Sequence, residues 1–201
     1  MFQTLIPVDF LRDESRKTGT AEGLAFPQTL AELTGLMREA ASRGLSVTVQ
    51  GARTGLAAGA VPDGGVIISL TQMDRVLGTR SDPQGSVFIR VQPGLPLIAL
   101  RRTLSTERAG TEAGPCLFPP DPTEDSASLG GMAACNASGA CSFAYGPARD
   151  HIEGLTVVLA DGDTLTLRRG QSQATGLGFS LVTDSGRHIR GLLPDYQMPQ
   201  V

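Results

Sequence analysis

The sequence predicts an α+β fold in two lobes. Helix and strand patterns alternate through residues 1–70, strand patterns meander from 71 to 201, and two glycine-rich segments lie far apart in the chain. The first segment is Gln50–Pro62. The second runs from Pro119 to Gly139.

Residues 1–26 are mixed and polar, with Asp13-Glu14-Ser15-Arg16 read as a loop or short helix. A helix follows over 30–41, where Leu30, Leu33, Leu36, Met37 and Ala40 recur at helical spacing. Thr29 and Glu32 form a capping box at its start, and Gly44 closes its end. Ser46–Gln50 alternates like a strand and delivers the chain into the first glycine-rich segment, at a strand's C-terminal end where α/β ligand sites lie. Val66–Leu70 reads as a buried strand. Arg75–Leu77 and Val87–Val91 read as a pair around the turn Ser81–Gly85. Pro93-Gly94 leads into a helix over Leu95–Thr103, and prolines 115, 119, 120 and 122 keep 105–123 irregular. Ser128 begins a short helix to about Cys135, whose N-terminus is expected to face the ligand. Ile152–Leu159 and Thr164–Arg168 form a hairpin around Asp161-Gly-Asp163. Gly186 divides a further hairpin, and 193–199 looks extended.

Composition narrows the function classes. A chain of 201 residues can bury a core without disulfide staples. The net charge is −3, and basic residues run no longer than pairs such as Arg101-Arg102 and Arg168-Arg169, which argues against a nucleic-acid or anionic-membrane surface. No apolar stretch approaches a membrane span, and the N-terminus lacks the pattern of a secretory signal. Cys116, Cys135 and Cys141 match no zinc or disulfide spacing and read as free thiols. The expected compartment is the cytoplasm.

The two glycine-rich segments carry the chemistry. Each strips side chains from a stretch of backbone that bears hydroxyls and few central acids, as main-chain N–H groups need if they are to approach a diphosphate. Two such surfaces suggest a long ligand clamped at its middle, and a dinucleotide fits. The first segment contains neither G-x-G-x-x-G nor Gly-Lys-Ser/Thr, so neither a Rossmann nor a P-loop site explains it.

Other candidates have plainer readings. Arg53 pairs either with a phosphate or with a surface carboxylate. Asp121 is either a turn former or a cofactor neighbour. Tyr145 reads as a packed aromatic, Arg149-Asp150-His151 as an exposed loop cluster, His188 as a solvated strand residue and Cys135 as a small buried side chain. Nothing marks Glu112 and Glu124 as an acid/base pair.

Taken in series, Gln50-Gly-Ala-Arg-Thr-Gly55, Val61-Pro62, Val91-Gln-Pro-Gly94, Asp121-Pro122, Leu129-Gly-Gly131, Asn136-Ala-Ser-Gly139, Tyr145-Gly146 and Leu155–Gly162 resemble the vanillyl-alcohol-oxidase-type, or PCMH-type, FAD-binding domain. The likeness covers roughly 24–170 and leans toward the glycolate oxidase and D-lactate dehydrogenase flavoproteins. It implies FAD extended between the two lobes. Gly51, Ala52, Arg53, Thr54 and Gly55 would hold the pyrophosphate. Pro120, Asp121, Ser126, Ala127, Gly130, Gly131, Asn136, Ser138, Gly139 and Gly146 match the family's flavin- and diphosphate-contacting positions. Members that bond FAD covalently place a His in the first loop; this loop has none, so non-covalent FAD is expected. The resemblance also implies a C-terminal substrate domain beyond Val201, which would carry the catalytic base and any metal ligands for a small 2-hydroxy acid. No catalytic or metal-binding residue is therefore assigned in this chain. The alternative is a non-catalytic flavin module that docks to an iron–sulfur or substrate-binding partner.

Overall fold

The computed structural model describes residues 2–106 and 116–195. Its first lobe is built on a parallel sheet in the order β1-β3-β2, with β1 at Gly23–Ala25, β2 at Val47–Gln50 and β3 at Val66–Ser69. Helix α1, Leu30–Ser42, makes the crossover from β1 to β2. Central β3 is buried along its whole length, as a parallel strand covered on both faces must be. Leu33, Leu36 and Met37 of α1 pack with Ala25, Ile68 and Met73 to form the core.

Local chemistry sets the helix ends. Thr29 Oγ1 accepts the Glu32 N–H at 3.2 Å. The Glu32 carboxylate reaches back to the Gln28 N–H at 2.7 Å, one residue before the usual reciprocal donor. Gly44, at φ 62°, turns the chain out of the helix. Strand β1 was not expected from sequence: three residues cannot show an alternation, and its pairing with β3 (Gly23↔Val66, Ala25↔Ile68) comes from tertiary contact. The segment before it is a 3-10 turn at Val8–Phe10 followed by irregular chain.

Gly94 joins the lobes. A Cβ there would lie 1.9 Å from the Leu70 carbonyl oxygen, so only glycine lets these backbones meet. Buried Gln92 ties the same junction, accepting from the Arg75 N–H at 3.0 Å and donating to the Gln28 carbonyl at 3.0 Å.

The second lobe begins with the antiparallel pair β4, Val76–Ser81, and β5, Val87–Val91. Helix α2 covers Leu97–Thr106, two residues later than its apolar spacing predicts. Leu95 and Pro96 are extended instead, because Leu97 N–H donates to Ala127 O and Leu129 N–H to Leu95 O, both at 2.9 Å. The expected loop over 105–123 thus starts with helix; residues 107–115 lie outside the described residues, and 116–123 carry no helix or strand. Helix α3, Leu129–Ala134, a single turn α4, Ser142–Tyr145, and a 3-10 turn at Ala148–His151 follow. Leu95, Leu100 and Leu104 form one core cluster, and Leu97, Ala127 and Met132 another; Phe118 and Leu129 pack against both.

Two hairpins close the chain: β6, Gly154–Val158, with β7, Thr164–Arg168, and β8, Gly178–Val182, with β9, His188–Leu192. The first docks on lobe one. Val158 packs against the first core, and Arg38 of α1 donates to Gly162 O at 3.1 Å.

A polar joint holds the two hairpins together. Ser185 donates to Asp163 at 2.7 Å, Thr164 to Asp184 at 2.6 Å, and Arg187 pairs with Asp161 at 2.7 Å. The Ser185 hydroxyl foremost, then Thr183, the Thr164 N–H and Arg187, draw the Asp163 carboxyl from 3.8 down to about 2. A depressed carboxyl stabilises the fold above its unfolded value and ceases to do so as pH falls through the folded one. Thermal unfolding followed from pH 6 to below 2 should therefore lose stability across the window between 3.8 and about 2. Asp163→Asn should flatten that acid limb; an unchanged limb would show that the joint contributes nothing.

Candidate functional site

Strand β2 ends at Gln50, and the first glycine-rich loop leaves from that C-terminal edge. Gln50 is 0% exposed. Its Nε2 donates to Phe10 O at 2.8 Å and to Ala60 O at 2.7 Å, which pins the loop's far end to its start. Asp13, also buried, does the same from the other side. It accepts the Ser15 N–H at 2.9 Å and the Ala60 N–H at 3.4 Å. Burial pushes its carboxyl up, but the Ser15 hydroxyl and N–H and the Ala60 N–H outweigh that and hold it below the ordinary carboxylate range. Phe10, Asp13 and the role of Gln50 were missed from sequence. The only available signal was a glutamine at the end of an apolar strand.

The loop between these anchors is rich in donors and poor in acceptors. The main-chain N–H groups from Ala52 to Gly59 have no acceptor among the described residues. The Thr54 hydroxyl stands among them, and no acidic side chain occurs from Gln50 to Pro62. Arg53 sits at φ 60°, with its guanidinium carbon 4.4 Å above the Phe10 ring and its Nη1 buried without a partner. Burial lowers the Arg53 pKa, and the charge of Asp9 opposes that shift. Cβ atoms at Gly55 and Gly59 would meet nothing within 4 Å, and neither residue has positive φ. The fold itself does not require glycine at either place.

The second segment meets the first at Gly51. A Cβ on Gly51 would lie 2.1 Å from Ser128 Oγ, so the loop rests on the residue that caps α3. Ser128 caps by accepting the Gly131 N–H at 3.3 Å. The first N–H groups of α3 are already occupied within the protein. Leu129 N–H is taken by Leu95 O at 2.9 Å and Gly130 N–H by Pro93 O at 2.7 Å, because the α2 approach strand runs across that end. Gly130 owes its lack of side chain to Pro93, whose Cβ would be 2.6 Å away.

The remaining positions form a frame behind α3. Buried Pro120 and neighbouring Asp121 are gripped by Arg101, which pairs with the Asp121 carboxylate and donates to Pro120 O at 3.4 Å. Gly139 packs on the Asp121 backbone and donates to Ser142 Oγ at 2.9 Å. Asn136, at φ 47°, accepts the Arg149 N–H at 3.0 Å through Oδ1. Gly146, at φ 83°, lies against Asp150. Ala127 is buried in the third core cluster, while Ser126 and Ser138 are exposed. The exposed carboxylate of Glu124 accepts from Ser126, whose hydroxyl and N–H hold it below its ordinary value; Glu112 lies outside the described residues.

Arg149 and Asp150 are exposed, and His151 binds Tyr145 O at 2.9 Å, as a structural turn rather than a relay. His188 is exposed on β9. Two expectations fail: Tyr145 is 56% exposed rather than packed, and Cys135 is exposed rather than buried. Tyr145 ends the single turn α4, and Cys135 caps the C-terminal end of α3.

Comparison with known proteins identifies relatives of this chain. Residues 21–168 match the model of the FAD binding domain. A D-lactate dehydrogenase of Anaerostipes hadrus is 37% identical over 181 residues, which is 87% of this chain and 35% of that protein. A D-2-hydroxyglutarate dehydrogenase of Xanthomonas citri pv. viticola is 32% identical over 159 residues, 78% of this chain and 33% of the relative. Among solved structures, xylooligosaccharide oxidase from Myceliophthora thermophila superposes with a TM-score of 0.65 at 25% identity, covering 80% of this chain and 32% of that one. The chain spans about a third of the length of the relatives it matches.

Proposed function

Because this chain belongs to the FAD binding domain family, we propose that it forms the cofactor-binding part of a flavin-dependent oxidoreductase that acts on a small 2-hydroxy acid. The observation that carries the reading is the run of unaccepted N–H groups from Ala52 to Gly59 beside the orphan Arg53 Nη1. Donors alone, on one loop free of acids, call for an anion, and the diphosphate of a dinucleotide is one. FAD, when bound, supplies a two-electron acceptor.

This chain's residues bind and orient it. Gly51, Ala52, Arg53, Thr54 and Gly55 would hold the diphosphate. Gly130, Gly131, Asn136, Ser138, Gly139 and Gly146 would line the flavin side, with Pro120, Asp121, Ser126 and Ala127 shaping the wall between them. With no histidine in the first loop, the cofactor is held non-covalently. The 2-hydroxy acid reading is supported by the names of the two dehydrogenases above, and the base for that chemistry would be supplied from outside these residues. A compartment that keeps Cys116, Cys135 and Cys141 reduced, such as the cytoplasm, fits three cysteines with no disulfide among them. No helix among the described residues is long and apolar enough to cross a membrane.

Gly55 and Gly59 provide the test. Alanine at either site is expected to leave unfolding of the apoprotein unchanged or to stabilise it by about 0.4–1 kcal/mol, since the unfolded chain loses freedom. The same substitutions should weaken FAD binding by about tenfold or more, read from flavin fluorescence, because the new methyl stands where the diphosphate approaches the backbone. Unaltered affinity in both variants would move the cofactor away from this loop.

A further inference from the structure

We propose that Gln92 is a positioning residue for the cofactor: its side chain sets the spacing between the donor loop of lobe one and α3 of lobe two, which the dinucleotide would bridge. The inference rests on the function proposed above and extends it to a residue outside the set that would touch the cofactor.

Gln92 directly follows β5 and is 9% exposed. A buried amide must find partners for its acceptor and its donor, and this one finds them in different lobes. Its Oε1 accepts the N–H of Arg75, just ahead of β4, at 3.0 Å. Its Nε2 donates at 3.0 Å to the carbonyl of Gln28, in the connection between β1 and α1. The side chain also stands in for the main chain. Gln92 N–H donates to Arg75 O at 2.9 Å, yet the return bond of this antiparallel pair goes to Oε1 rather than to the Gln92 carbonyl. That carbonyl instead accepts the Leu95 N–H at 3.3 Å and turns the chain toward α2.

What Gln92 fixes is the seat of α3. The Pro93 carbonyl accepts the Gly130 N–H at 2.7 Å, and the Leu95 carbonyl accepts the Leu129 N–H at 2.9 Å. Between them, Gly94 donates to Met73 O at 2.7 Å. The run from Gln92 to Leu95 therefore holds lobe one on one side and the first turn of α3 on the other. Gly130 and Gly131 belong to the flavin side of the proposed site, and the donor loop belongs to lobe one. A ligand that grips both binds best when the gap is set beforehand, because freedom left in the apoprotein is lost on binding. Gly51 against Ser128 closes the same seam at a second place, and two attachments define a spacing where one leaves a hinge. The amide is a separable part of this junction. Gly94 keeps its main-chain contacts whatever stands at position 92, so losing the tie should loosen the lobes without unfolding them.

The experiment compares wild type, Gln92→Met and Gln92→Glu. Methionine nearly keeps the length and removes both bonds. Ionised glutamate keeps an acceptor for the Arg75 N–H but has no donor for the Gln28 carbonyl, so it severs only the tie to lobe one. Each protein is titrated with FAD, which would reach both lobes, and with ADP, which carries the diphosphate without the flavin. Amide hydrogen exchange of the apoproteins is followed at Leu129 and Gly130, with α1 as the internal reference. Both variants should weaken FAD by about 5- to 30-fold while ADP changes by less than about 2-fold. Exchange at Leu129 and Gly130 should accelerate several-fold, and exchange in α1 should not.

A merely structural glutamine would weaken both ligands equally, in step with a lower unfolding temperature, and would speed exchange in α1 as much as in α3. That pattern, or an unchanged ratio of FAD to ADP affinity in Gln92→Glu, would overturn this inference and leave the cofactor reading standing. A wild-type protein that binds no FAD would overturn both. If Gln92→Met does not fold, Gln92→Glu decides. If ADP binds too weakly to measure, exchange at Leu129 and Gly130 decides in its place: acceleration confined to them supports the tie, and wild-type rates refute it.

Discussion

Replacing Gly139 with alanine is expected to destabilise the protein by about 3 kcal/mol or more, the upper end of what overpacking costs. The new Cβ would fall 1.6 Å from the Asp121 carbonyl oxygen and 2.2 Å from its carbonyl carbon. Both atoms are backbone, so no rotamer change relieves the clash. The 119–123 stretch would have to move away from the turn that follows α3, pulling Asp121 from Arg101 and Pro120 from its buried seat. In a chain of this size the unfolding temperature should drop by roughly 6–12 °C. Calorimetry on the purified variant gives the answer directly. An unchanged temperature would mean that the two stretches are not in contact as described.

Gln50→Leu should rank next, at about 2–5 kcal/mol, because leucine fills most of the volume but removes the donor that serves two carbonyls. Phe10 O and Ala60 O would each lose a bond of 2.8 or 2.7 Å. The loss should appear in two measurements at once. Denaturant unfolding would report the weakened core of lobe one. FAD affinity would fall further than stability alone explains, because the ends of the donor loop would no longer be clamped together. Gln50→Glu separates the effects: it keeps the shape yet turns a carboxylate toward two carbonyl oxygens, so it should be at least as damaging. Neutral behaviour of both variants would show that the loop does not depend on this clamp.

Much of the fold could be read in advance where a periodic pattern coincided with an end signal. Helix α1 is the clear case, with apolar residues on one face, Thr29 before them and Gly44 after. The β6–β7 hairpin is another, since its turn residues sit between two apolar runs. What escaped has a common physical cause: it is decided by long-range contact. Three-residue β1 exists because β3 offers it a ladder. The start of α2 shifted because Leu95 and Pro96 serve as an extended partner for the approach to α3.

The site divides along the same line. The glycine-rich loop was evident from composition, since side-chain-poor backbone without acids has few other uses. Which glycines the packing requires was not. Gly51, Gly130 and Gly139 turn out to be close-packing positions, while Gly55 and Gly59 face open space. That distinction needs the neighbours' coordinates. The clamp of Gln50 and Asp13 behind the loop was equally hidden, because the atoms it joins are up to 47 positions apart in the chain.

The contact of Gly51 with Ser128 has a mechanical consequence. The hydroxyl that terminates one element also seats the other, so the donor loop of lobe one and the helix of lobe two share a single latch. Any breathing that parts the halves at this seam must also disturb the first turn of that helix. On the proposed cofactor reading, prising the lobes apart is thereby penalised, and a route along the open rim of the loop, past Gly55 and Gly59, would cost less.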